Sequence, residues 1–107
     1  MPREKLEGYL LDPGHEIGRH KARVFAAALG IGQPDWEYLR DELLGGVLQA
    51  PVSSVRESPW GELYEVVVQV EGLNAQVWPV RTVWLVAGED EPPALVTAYV
   101  GGAGGSA

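Results

Sequence analysis

Two periodicities divide this chain. Before Ala50 apolar residues recur at the three- and four-residue spacing of helices; after it they alternate with polar ones, the two-residue period of strands. "REKLEGYLL" sets Leu6, Tyr9 and Leu10 at helical spacing, and the "DPG" that follows stops the helix. "GRHKARVFAAALG" predicts a second helix with Ala22, Phe25, Ala26 and Leu29 on one face and Gly30 as its C-terminal cap. "PDWEYLRDELLGGVL" predicts a third, with Pro34 in the first turn, Trp36, Leu39, Leu43 and Val47 inward, and the Gly45-Gly46 pair fraying or ending it.

The second half reads as four strands. "SVRE" and "ELYEVVVQVEG" flank "SPWG", a type I turn sequence, and Tyr64, Val66, Val68 and Val70 alternate with Glu65, Gln69 and Glu71, so one face is buried. "AQVWPVRTVWLVA" is apolar on both faces and predicts a central strand, with Pro79 marking a bulge or break. "ALVTAYV" is the last strand. Helices followed by antiparallel strands define an α+β fold, with about three N-terminal helices on one face of a four-stranded antiparallel sheet.

Composition narrows the class. At 107 residues, with 46% hydrophobic and 21% charged content, one domain is expected over residues 1–100, with a flexible glycine-rich tail over 101–107. The apolar runs are too short to span a membrane and "MPREKLEGYL" has no secretory h-region, so the expected compartment is the cytoplasm. With no cysteine there are no disulfides, thiolate nucleophiles or Cys-ligated zinc. No phosphate-binding loop, nucleophile elbow, zinc-protease helix or EF-hand loop is present, and no cofactor is expected. Glu89, Asp90 and Glu91 form an acidic run before two prolines, read as a solvated loop rather than a metal site.

The net charge of −7 opposes capture of bulk nucleic acid, yet "GHEIGRHKARVF" collects both histidines, His15 and His20, with Arg19, Lys21 and Arg23. His15 precedes the second helix, Gly18 permits close backbone approach, and Lys21 lies in its first turns. A helix start offers free N–H groups to an anion, and imidazole suits proton transfer near neutral pH, so these residues suit a phosphodiester. The competing reading is a solvated turn in which Glu16 pairs with Arg19 or His20. Arg81 sits in an otherwise apolar strand and needs a partner, Glu65 or Glu71, or a cleft. In the last strand Leu95, Thr97 and Tyr99 fall on one face and Val96, Ala98 and Val100 on the other, so Thr97, Tyr99 and Arg81 can line the open face of the sheet. Trp36 and Trp84 are read as structural; Trp60, at the turn, is the exposed one and a candidate for partner contact.

"KLEGYLLDPGHEIGRHKARVF", "VRTVWLV" and "PALVTAYV" resemble an uncharacterised bacterial domain family with K-L-x-x-Y-L-L, a His-x-x-Gly-x-x-Lys-Ala element, V-R-T-x-W and L-V-T-A-Y. That family occurs in toxin- and phage-related proteins and is similar in layout to the barnase, EndoU, colicin-type and RelE-like ribonucleases. The resemblance implies metal-independent RNA cleavage by 2′-hydroxyl attack. His15 would transfer the proton, Lys21 and Arg81 would neutralise the phosphate, and Thr97 and Tyr99 would hold or protonate an oxygen. Apart from the resemblance, His20, Arg19 and Trp60 are candidate accessory residues. RNA and a cognate antitoxin or immunity protein would be the partners. The alternative is a non-catalytic interaction module of a toxin-antitoxin or phage-associated system; an acidic mimic that binds a basic partner is a third. Convergence of the five named residues separates enzyme from module.

Overall fold

The computed structural model describes residues 3–88 and 90–101. Helix α1 spans Arg3–Lys5 and widens into a π turn over Leu6–Leu10. Helix α2 spans Arg19–Leu29 and ends at Gly30 in the left-handed conformation; a 3-10 turn at Gln33–Asp35 leads into α3, Trp36–Val47. Strands β1 (Val52–Ser58), β2 (Gly61–Glu71), β3 (Val77–Val86) and β4 (Ala94–Val100) form one antiparallel sheet in the order β1-β2-β3-β4. The fold is α+β, as expected.

The helices cover one face of the sheet. Leu6, Leu10, Phe25, Leu29, Leu39 and Leu43 meet Val66, Val68, Val70, Val80, Trp84 and Ala98 in a single buried cluster. Trp36 packs at its margin, with the guanidinium groups of Arg3 and Arg40 at 5.0 Å and 5.3 Å from its ring. Thr82 is the one buried polar side chain among the described residues. Its hydroxyl donates to Val66 O (2.7 Å) and accepts from Trp84 Nε1 (2.8 Å), so both dipoles are satisfied inside the core.

Helix α3 runs through Gly45 and Gly46 and ends one residue on, at Val47; Gly46 lies against Val68, where a Cβ would overlap the valine side chain, so the glycine there serves packing. Two local expectations are corrected. Strand β3 neither bulges nor breaks at Pro79, which stays in register with Gln69. The Pro79 carbonyl accepts from Gly101 N on the β4 side, so its missing N–H also points there, beyond the last β3–β4 pair. In β4 the alternation is interrupted. Trp84 pairs with Leu95 but Val83 with Thr97, so Val96 is extruded as a bulge. Leu95 therefore joins Ala98 in the core and Val96 is exposed, contrary to simple alternation.

Gly101, the first residue of the expected tail, is bonded to Pro79; residues 102–107 of that tail, and Glu89 of the acidic run, lie outside the described residues.

Candidate functional site

The segment after α1 turns tightly. Asp12 Oδ1 accepts from Gly14 N (2.9 Å), and His15 O accepts from Arg19 N (3.0 Å) at the start of α2. The His15 side chain closes this turn itself: Nδ1 accepts from both Ile17 N and Gly18 N, each at 3.0 Å. A nitrogen that accepts two amide N–H groups carries no proton, so the proton of neutral His15 sits on Nε2. Gly18 is required beside it, since a Cβ there would collide with the carbonyl oxygen of Tyr9.

That close approach presses the α2 start onto Tyr9. The Tyr9 and His15 rings meet edge to face with centroids 5.0 Å apart. Lys21 Nζ donates to Tyr9 Oη at 3.3 Å, and Lys5 Nζ lies 5.4 Å from the Tyr9 ring. The Thr97 hydroxyl, buried and with no hydrogen-bond partner of full geometry, is close enough to act on the same phenol. Burial raises the pKa of Tyr9, but the Lys21 and Thr97 hydroxyl contacts and the charges of Lys21 and Lys5 outweigh it, leaving the phenol more acidic than an ordinary tyrosine.

Tyr9 is thus the hub that joins His15, Lys21 and Thr97. Sequence reading missed it because its helical spacing with Leu6 and Leu10 placed it in the core, and it does pack there by one side of its ring. The signal was its place in the K-L-x-x-Y-L-L element.

Arg81 and Tyr99 form a second group, so the five named residues converge only in part: three meet at Tyr9 and two stand apart. They are cross-strand partners on the sheet face away from the helices, and Tyr99 lies two residues beyond Thr97. Arg81 pairs with Glu65 at 3.3 Å, the partner expected of it, while its Nε is buried without one. His20 and Arg19 are exposed, and Glu16, their expected partner, forms no ion pair among the described residues. Trp60 is 74% exposed at the β1–β2 turn, across the sheet from β4. Among the described residues no group of three or more His, Asp or Glu side chains is placed to hold a metal ion.

Among the same residues the three ion pairs engage Arg3, Arg40 and Arg81, leaving Lys5, Arg19, Lys21, Arg23 and Arg56 without a carboxylate partner. Four of these five belong to α1 and α2. An acidic chain thus keeps its uncompensated positive charge around Tyr9 and along α2.

These features define a small α+β domain with a polar cluster where the first helical turn, the start of α2 and the last strand meet. A family model described as "Domain of unknown function (DUF6883)" matches residues 1–102, and the chain belongs to that family. No curated protein and no solved structure matches the chain. No helix among the described residues is long and apolar enough to cross a membrane.

Proposed function

We propose that this domain cleaves RNA without a metal ion, by attack of a ribose 2′-hydroxyl on the adjacent phosphodiester. The layout, similar to that of RNase-like toxins, agrees with this; the observation that carries it is the Tyr9–Lys21 pair set beside His15 and Thr97. The 2′-oxygen forms a bond to phosphorus and the P–O5′ bond breaks, giving a 2′,3′-cyclic phosphate and a 5′-hydroxyl. Ionised Tyr9 takes the 2′-hydroxyl proton and the Lys21 ammonium gives one to the departing 5′-oxygen. The proton on Tyr9 then returns to Lys21 along their hydrogen bond, which restores both groups.

His15 acts here as a donor. With Nδ1 occupied by two amides, Nε2–H binds a non-bridging phosphate oxygen, and transfer of that proton is left to the Tyr9–Lys21 couple. Thr97 holds the ribose or phosphate oxygen next to Tyr9. Arg81 and Tyr99, on the far side of Thr97, receive the flanking phosphate.

The test is incubation of the purified protein with labelled tRNA and total RNA in EDTA. Wild type cleaves; Tyr9→Phe and Lys21→Ala lose about 10²–10⁴-fold, the usual weight of one proton-transfer group, and His15→Ala and Arg81→Ala also lose activity. The rate climbs with pH and levels off below the 10.0 of an ordinary tyrosine. Absence of cleavage, or cleavage indifferent to Tyr9→Phe, rejects the proposal.

A second reading, a protein-interaction module such as the partner of an antitoxin or immunity protein, has its own observation. A groove of about 500 Å³ opens between the end of α3, the β1–β3 sheet and the β3–β4 loop, lined by Leu44, Val47, Val52, Trp84, Val86 and Pro92 among others. Co-purification of a bound protein that Leu44→Asp releases, with no RNA cleavage, would establish this reading instead.

A further inference from the structure

On the other flank of α2 from Lys21, a cavity of about 450 Å³ lies between α2 and the Gln33–Asp35 turn. Its floor is apolar, formed by Leu11, Ala22, Ala26 and Pro34, and Arg19 and Arg23 stand along one wall. These arginines are four residues apart and so share one side of the helix. Neither is ion-paired among the described residues. The carboxylates next in sequence to the lining are already engaged by backbone amides: Asp12 by Gly14 N and Asp35 by Gly32 N. Gln33, also at the wall, spends its Nε2 on Glu7 O (2.7 Å) and has its Oε1 left to accept a bond.

An apolar floor, two guanidinium groups without a carboxylate partner among the described residues and one amide oxygen match a nucleotide: a base to lie on the floor or stack on a guanidinium plane, a phosphate for the fork, and a ring N–H or amino group for the amide. We infer that this cavity is a nucleotide subsite for single-stranded RNA, filled by a residue of the substrate that lies away from the scissile bond. The inference rests on the RNA reading above and extends it, because α2 carries cations to both flanks: Lys21 to the Tyr9 cluster, Arg19 and Arg23 to the cavity. A helix is about 10–12 Å across with its side chains, a width that a strand crossing over the α2 start covers in a few nucleotides.

The experiment separates binding from cleavage. A fluorescein-labelled, fully 2′-O-methylated RNA hexamer lacks the attacking hydroxyl and cannot be cut by this chemistry. Its binding is followed by fluorescence anisotropy against wild type, Arg19→Ala/Arg23→Ala and Arg56→Ala, over a series of salt concentrations. Both arginines are exposed, so the double variant folds as wild type, which its circular dichroism checks. The expected result is at least tenfold weaker binding by the double variant, with a log–log salt dependence shallower by about 0.7 for each phosphate that the arginines no longer neutralise, and near wild-type affinity for Arg56→Ala, an exposed arginine on β1. Equal binding by wild type and the double variant overturns the inference, as does wild type that binds no hexamer. Cleavage of the unmodified hexamer is read in parallel: arginine-dependent binding without cleavage keeps the subsite and rejects the reaction, while cleavage with arginine-independent binding does the reverse.

Discussion

Tyr9 is the residue on which most depends, and its acidity can be measured directly. Ultraviolet difference titration, with the other tyrosines replaced by phenylalanine in turn to assign the signal, should show it ionising below the ordinary 10.0; Lys21→Met should move it back up. Because the folded protein releases this proton more readily than the unfolded chain, the contribution of Tyr9 to stability grows as pH rises from its folded value toward the unfolded one, and disappears below the folded value. Thr82 is the second informative residue. Its hydroxyl is the partner of Trp84 Nε1, so Thr82→Val strands an indole N–H in the core, and denaturant unfolding should register a loss of about 1–3 kcal/mol. Neither role could be read from the sequence. Tyr9 sat at core spacing in the helix and its link to Lys21 spans 12 residues; the Thr82 hydroxyl is only two residues from Trp84, but what aims it into the core is Val66 O, 16 residues away across the sheet. Arg81 was legible, since a guanidinium in an apolar strand has few solutions and Glu65 was one of two partners within reach.

At the scale of elements, local rules served well where one residue met one neighbour and failed where two elements press together. The alternation of β2 and the cap at Gly30 follow from short-range pattern. The Gly45-Gly46 pair does not: the two glycines share a propensity but not an environment. A Cβ at Gly45 meets nothing within 4 Å, whereas one at Gly46 collides with Val68. Gly45→Ala should therefore stabilise the domain by up to about 1 kcal/mol through helix propensity, and Gly46→Ala should destabilise it by about 1–3 kcal/mol through overpacking; thermal melts of the two variants should shift in opposite directions. The β4 bulge was hidden for a related reason. "ALVTAYV" alternates cleanly as a string, and only pairing with Trp84 and Val83 reveals that Val96 has been pushed out so that Leu95 and Ala98 can both reach the core.

Over the whole molecule, the −7 charge and the basic start of the chain describe one asymmetric object. Among the described residues four of the five cations without a carboxylate partner lie in α1 and α2, so polyanions are repelled at long range while an anion at that face meets positive charge within a Debye length. The order β1-β2-β3-β4 has a further consequence for how such a chain comes into being. Each strand pairs with the one just made, so the sheet grows by successive hairpins with no crossover to wait for. Tyr9, His15 and Lys21 are translated before Thr97 and Tyr99, which come with β4, and β4 is also the strand that closes the core over Phe25 and Leu29 with Leu95 and Ala98. A nascent chain emerging from the ribosome thus carries Tyr9, His15 and Lys21 without Thr97, and an open core, until β4 docks, and the cluster becomes whole only when the sheet does.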